Sequence, residues 1–334
     1  MIDWKQVIQA GDKNYNLITF SWDLVDMCQY KCSYCSSMNF NMHTFKHKKN
    51  LKNVWKSVIK MLKMRRIKSD FSVELLGGEP TLHPDILHIL ENLNEIPNCT
   101  QVELITNLAK PLSFYQKLDD EKFNKVKIIA SYHPEYFTEN YFNKVVSINN
   151  FKHIKIFPNI NLPDDSSQWE VTKNLIDRFQ DNSVQVSVNI LQDVHDGPEG
   201  SWTPSYKKEF YEYFSKWLGK PMTRGNSISE DVNRVNEHQP ITAQIPYKLD
   251  DGRVLNFSES DINEHNLRQF KGWSCKNLMY HIGMDGTIKD HCTGEILDII
   301  DLNEKRLTNC VTCPLEKCDC DTKFLYVKNR PNEK

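Results

Sequence analysis

No apolar run in this 334-residue chain approaches the ~18 residues of a membrane-spanning helix. The first residues carry Asp3, Lys5, Asp12 and Lys13 where a signal peptide would carry an apolar core, so we expect a cytoplasmic protein without a membrane partner. A dominant charge is missing as well. The formal net charge is -2 and the pI is near 6.6, which gives no bulk attraction to nucleic acid. Acidic residues are absent from one stretch that holds Lys46, Lys48, Lys49, Lys52, Lys56, Lys60, Lys63, Arg65, Arg66 and Lys68. It reads as the solvated face of an amphipathic helix, with a docking stripe for an acidic peptide, nucleotide or redox partner as the alternative.

What is present is enough chain for a full core, in one large domain or two smaller ones, at 39% hydrophobic and 26% charged residues. Ten cysteines in an unsecreted chain are metal ligands or free thiols before they are disulfides. They are uneven: Cys28, Cys32 and Cys35 lie together, Cys99 is alone, and six fall between Cys275 and Cys320. That clustering implies two metal centres.

Cys28, Cys32 and Cys35 are spaced C-x3-C-x2-C. Three thiolates on one loop can hold three irons of a [4Fe-4S] cube and leave the fourth iron open to a small molecule. Zinc, which takes four protein ligands at structural sites, fits poorly without a distant fourth.

Strand and helix patterns alternate along the chain. Leu17 to Leu24 reads as a strand delivering the cysteine loop, and Leu51, Val54, Trp55, Val58, Ile59 and Leu62 recur at helical spacing. Further strands are expected over 71–76, 101–106, 126–131, 153–157 and 184–191, with helices over 84–93, 113–122, 139–146, 167–179 and 206–218. The pattern predicts an α/β fold with a parallel sheet and helices outside it. A polar, breaker-rich stretch near 221–240 reads as a linker or active-site loop, dividing domains at 1–220 and 241–334. In the second, Asp285-Gly286 between short alternating runs predicts a hairpin that brings Cys275 and Cys292 together, followed by Cys310, Cys313, Cys318 and Cys320.

With aromatic Tyr34 ahead of its last cysteine, the loop resembles the signature of the radical S-adenosylmethionine (radical SAM) superfamily. Gly77-Gly78-Glu79-Pro80, at the end of the second strand, looks like that family's element for the amino group of the methionine moiety, and the strand count is similar to its partial (β/α)6 TIM barrel. The resemblance implies a [4Fe-4S] cluster with an open iron, S-adenosylmethionine (AdoMet) chelated there, and reductive cleavage to a 5′-deoxyadenosyl radical. It implies that Ser131 contacts the ribose or carboxylate of the cofactor, with His133 where many relatives have Asp. Asn107 and Asn189 are polar residues placed for cofactor or substrate, or else strand-end caps.

The cysteine-rich tail resembles the SPASM and shorter Twitch extensions of the same enzymes. A full SPASM pattern has seven cysteines, and this tail has six at compressed spacing. We therefore expect one auxiliary [4Fe-4S] cluster on Cys275, Cys292, Cys310 and Cys313, with Cys318 or Cys320 as replacements; a zinc ribbon is the alternative. Only 27 residues precede Cys28, too few for the fused peptide-recognition domain of many peptide-modifying relatives. The expected reaction is hydrogen abstraction from a small metabolite such as a sugar or nucleotide derivative, fed by an external electron donor such as flavodoxin or ferredoxin. Peptide side-chain modification is the alternative, and a non-enzymatic iron-sulfur or metal-stabilised binding protein is a third reading. No acid-base residue is assigned; His133, His195, Tyr132 and Arg224 are candidates by position only.

Overall fold

Parallel strands buried on both faces read as continuous buried runs, whereas strands with one packed face alternate, and this sheet holds both kinds. In the computed structural model, which describes residues 3–32, 35, 51–64, 67–162, 166–190, 213, 245–257, 262, 266–297, 304–316, 318 and 326–331, the strand Ile18–Val25 is buried at every position except Asp23, whereas later strands alternate. In strand β5 (Val126–Tyr132), Val126, Ile128, Ala130 and Tyr132 are buried while Lys127, Ile129 and Ser131 are half-buried on the other face.

After β1 (Val7–Ala10), the chain runs β2 (Ile18–Val25), α1 (Leu51–Lys63), β3 (Phe71–Gly77), α2 (Ile86–Asn94), β4 (Cys99–Thr106), α3 (Leu112–Gln116), β5, α4 (Glu139–Asn149), β6 (Lys155–Leu162), α5 (Ser166–Asp181) and β7 (Ser187–Ile190). Strands β2 to β7 lie side by side in chain order, each parallel to the next. Their buried face forms one core with Val58, Leu62, Ile89, Leu93, Val145, Ile148, Ile176 and Phe179 of the helices. No helix among the described residues is long and apolar enough to cross a membrane.

Three local departures have physical reasons. The helix expected over 113–122 stops at Gln116, because Asp120 caps a separate 3-10 turn at Glu121–Phe123 through Lys122 N, and Asp119 Oδ1 accepts from His153 N at 2.7 Å. Strand β6 continues through Pro158 to Leu162; Pro158 has no N–H for the ladder, and the carbonyl of its register partner Ala130 accepts from Tyr141 Oη at 2.7 Å. Strand β7 starts only at Ser187. The last helix and the stretch 221–240 lie outside the described residues, apart from Tyr213.

Strand pairing crosses the boundaries drawn at 220 and 241. The remaining strands are β8 (Ile245–Leu249), β9 (Val254–Phe257), β10 (Ser274–Lys276), β11 (Met279–Ile282), β12 (Ile288–Asp290), β13 (Ile296–Leu297), β14 (Cys310–Thr312) and β15 (Lys328–Asn329). The predicted hairpin forms between β11 and β12, with Gly286 at φ 81, and it joins the first sheet: β11 runs parallel to β2, where Tyr280 packs on Phe20 with ring centroids 5.9 Å apart. Strand β1 goes the other way. The second sheet has the order β14-β10-β15-β1-β8-β9 and its own core around Val7, Tyr247, Phe270, Trp273, Cys313 and Cys318.

Candidate functional site

The glycine pair at the end of β3 does a specific steric task. Gly78 N donates to Val25 O at 2.8 Å and Glu79 N to Met27 O at 2.7 Å, so this turn lies directly on the root of the cysteine loop. A Cβ on Gly78 would fall 2.2 Å from Met27 O; one on Gly77, which has φ 115, would fall 2.2 Å from Val25 O. Only glycine permits that approach at both positions. Pro80 opens a 3-10 turn over Pro80–Leu82. The Glu79 carboxylate is buried and takes four donors: Thr81 N at 3.1 Å, Thr81 Oγ1 at 2.5 Å, Thr106 Oγ1 at 2.7 Å and Asn107 N at 2.8 Å. Glu79 thus ties the turn after β3 to the end of β4.

On this base stand the thiols. Cys28 Sγ accepts from Tyr30 N at 3.4 Å and from Asn107 Nδ2 at 3.6 Å. Burial pushes the Cys28 thiol pKa up, and those two hydrogen bonds oppose it. Cys32 is buried with its Sγ 3.3 Å from His133 Nδ1. Burial holds the His133 pKa down at about 4, so the imidazole is neutral near pH 7. The loop after β5 clamps the other side, where Tyr30 stacks on Tyr136 with centroids 4.2 Å apart and Lys31 N donates to Tyr136 Oη at 2.8 Å. Cys28, Cys32 and Cys35 are free cysteines, and among the described residues no three His, Cys, Asp or Glu side chains are gathered into a metal-ready group. The donor set is three thiols on one loop. It suits an iron-sulfur cube with one open iron.

Asn107 is buried at the strand end beside this loop, while Ser131 is half-buried on the open face of β5. Ser131 is in register with Asn159, whose Oδ1 accepts from Ser187 Oγ at 3.0 Å; Asn189 lies in β7 in register with Asn161. Tyr132 faces the helices among Phe137 and Tyr141, away from that face, which removes it as a proton donor there. Tyr34, His195 and Arg224 lie outside the described residues.

One level of the open face carries a charged row. Register places Ser21, Glu74, Glu103, Lys127 and Lys155 side by side across β2 to β6. Ser21 Oγ donates to Glu74 Oε2 at 2.5 Å, Lys127 Nζ to Gln101 Oε1, and Gln101 Nε2 to Glu103 Oε1. Asp23 pairs with His281 at 3.2 Å. Sequence reasoning missed this row because no single strand shows it; the signal is a polar residue at the same height in successive strands.

The tail thiols lie on two sheets. Cys275 is buried in β10, where it is in register with Val311 and Lys328. Cys310 opens β14, and Cys313 and Cys318 are buried, held by Cys313 N to Trp273 O at 2.8 Å and Cys318 N to Arg268 O at 3.0 Å. Burial pushes the Cys275 thiol up to about 11, with Lys328 lowering it and Cys318, Cys313 and Cys310 raising it, so these four thiols share one neighbourhood. Cys292 follows β12 in the other sheet, where its N donates to Asp290 Oδ1 at 2.9 Å. The hairpin was expected to bring Cys275 and Cys292 together. It does carry their segments toward one another, since Asn277 Nδ2 donates to Asp290 Oδ2 at 2.8 Å and His291 N to Met279 O at 3.2 Å, while the two cysteines belong to separate sheets. Cys320 lies outside the described residues.

No family profile matches the chain. It is 32% identical over 106 residues to the molybdenum cofactor biosynthesis protein moc-5 of Caenorhabditis elegans, covering 31% of this chain and 17% of that one. It is 27% identical over 129 residues to the GTP 3′,8-cyclase of Mannheimia succiniciproducens, covering 37% of this chain and 34% of that one. The chain thus spans about a third or less of the length of these curated relatives. Among solved structures, a histidine-tagged anSMEcpe with bound AdoMet superposes with a TM-score of 0.51 at 16% identity, covering 87% of this chain and 80% of that one.

Proposed function

We propose that this chain, a radical SAM superfamily enzyme, holds a [4Fe-4S] cluster on Cys28, Cys32 and Cys35 with one iron left open for AdoMet, and uses it to abstract hydrogen from a small polar metabolite. The observation that carries this reading is the docking of Gly77-Gly78 onto Val25 and Met27, which unites two motifs far apart in sequence at one place. When bound, the cluster supplies the electron that splits AdoMet into methionine and a 5′-deoxyadenosyl radical. The chain's own residues orient and shield. Glu79 locks the turn beneath Cys28, while Tyr30 and Tyr136 cover the loop and His133 sits beside Cys32.

The sheet from β2 to β7 is read as a partial (β/α)6 barrel whose open face is the substrate chamber. Its charged row, Glu74, Glu103, Lys127 and Lys155, favours a small polar metabolite such as a sugar or nucleotide derivative. Ser131, Asn159 and Ser187 line the same sheet nearer the strand ends and are assigned to cofactor or substrate contacts. The tail carries one auxiliary [4Fe-4S] cluster on Cys275, Cys310, Cys313 and Cys318. An external carrier such as flavodoxin or ferredoxin delivers electrons, in the reducing cytoplasm that suits thiol-held clusters.

Anaerobic reconstitution, iron counting and a 5′-deoxyadenosine assay test the reading. About eight irons per chain, falling to about four when Cys28, Cys32 and Cys35 become alanine, together with 5′-deoxyadenosine from the unsubstituted enzyme alone, is the expected result. No 5′-deoxyadenosine from a loaded, reduced enzyme given metabolite and peptide pools overturns it. A mass shift in the peptide pool alone would replace the small-molecule substrate with a peptide.

A further inference from the structure

We infer that Asn107 donates a hydrogen bond that sets the electron affinity of the centre on Cys28, and that Lys144 is the positioning residue holding it in place. This rests on the reading that the cysteine loop carries a cluster.

The orientation of the Asn107 amide follows from its partners. Its Oδ1 accepts from Gln29 Nε2 at 2.7 Å and from Ala109 N at 3.0 Å. The Gln29 amide could turn with it, but a flipped Asn107 would set its NH2 against the fixed Ala109 N–H, so Nδ2 is the atom turned to Cys28 Sγ, at 3.6 Å. Its backbone is fixed as well, since Asn107 N donates to Glu79 Oε2 at 2.8 Å.

The chain beyond Asn107 is held by a side chain from α4. Leu108 has φ 56, a left-handed conformation uncommon outside glycine and kept only where the surroundings enforce it. Lys144 reaches in from an otherwise apolar helix face with Tyr141, Phe142, Val145 and Ile148, and it is only 7% exposed. Its Nζ donates to Leu108 O at 2.7 Å and to Lys110 O at 2.7 Å, while Thr106 Oγ1 takes Leu108 N at 3.2 Å. Without the ammonium, two inward carbonyls lose their donor and the turn that presents Asn107 is released.

A donor aimed at a ligating sulfur stabilises the more negative, reduced state of the centre and raises its potential. Loss of that donor makes the centre harder to reduce.

The test is a potentiometric titration of the reconstituted full-length enzyme, following the reduced-centre resonance that changes when AdoMet is added, since that signal belongs to the Cys28 centre. Asn107→Leu is neutral and near-isosteric but has no donor; Lys144→Met removes the ammonium; Lys144→Arg keeps cationic donors; Leu108→Gly relaxes the backbone and keeps both side chains. Asn107→Leu and Lys144→Met are each expected to lower the reduced-to-oxidised ratio at a fixed donor potential about tenfold, a shift of about 59 mV for one electron. Lys144→Arg and Leu108→Gly stay at the parental potential. A parental potential in Asn107→Leu, or in Lys144→Met, with full iron content overturns the inference. Should Lys144→Met fail to load iron, Lys144→Gln, neutral and able to serve only part of the two carbonyls, takes its place with the same expected lowering, and a parental potential there overturns the role of Lys144. Absence of any AdoMet-sensitive signal from the unsubstituted enzyme refutes the cluster reading instead.

Discussion

Glu79→Gln is the most informative single-atom change available in the site. The carboxylate is 1% exposed and its two oxygens accept four hydrogen bonds, three at Oε1 and one at Oε2. Glutamine can keep its carbonyl oxygen toward Thr81 N, Thr81 Oγ1 and Thr106 Oγ1, but its NH2 then faces the Asn107 N–H that lies 2.8 Å from Oε2. One charge-assisted bond is lost, ~1.5 to 3 kcal/mol, and two donors are left opposed in a dry place, adding ~1 kcal/mol or more. The total is about 3 kcal/mol. At ~2 °C per kcal/mol for a chain of this size, the metal-free melting temperature should fall by ~6 °C. Thr81→Val, which removes one hydroxyl donor and leaves the carboxylate three partners, should cost only ~1 kcal/mol. Calorimetry of the three metal-free proteins is the assay. A Glu79→Gln protein melting within ~1 °C of the parent would falsify the claim that this carboxylate ties β3 to β4.

The remaining predictions address other contacts. Gly78→Ala places a methyl against Met27 O and should cost ~1 to 3 kcal/mol and lower iron loading, whereas Gly252→Ala, at φ 88 with nothing within 4 Å, should cost only backbone strain of ~1 to 2 kcal/mol and leave loading unchanged; equal iron deficits in the two variants would sink the steric account. Cys318→Ser should remove the tail's share of the iron while Cys292→Ser retains it, and iron analysis giving the reverse would return Cys292 to the ligand set. Tyr141→Phe should lose ~1 kcal/mol through the Ala130 carbonyl opposite Pro158, read from denaturant midpoints at constant m value.

The strands were legible because their alternation is local: buried Val126, Ile128 and Ala130 announce β5 without knowledge of any neighbour. The glycine pair was legible because the close approach to Val25 and Met27 leaves no room for a Cβ. Less could be read where meaning depends on pairing. Nothing near Cys292 indicates that the Asp285-Gly286 hairpin lies along β2, and that single pairing puts Cys292 and Cys275 on different sheets. Glu74, Glu103, Lys127 and Lys155 look like unrelated surface charges until register aligns them. Lys144 reads as a solvated helix residue; its task becomes visible only when Leu108 and Lys110 turn their carbonyls toward it.

The interleaving of the two sheets fixes an order of assembly during synthesis. The bed of the cysteine loop needs only β2, β3 and the end of β4, all made by residue 107, so it can form while most of the chain is still on the ribosome. Strand β1 is made before any of these, yet its partners are Lys248 and Asn329, and it waits for nearly the whole chain. The sheet that holds Cys275, Cys310 and Cys313 therefore closes last, around one of the oldest segments of the nascent protein.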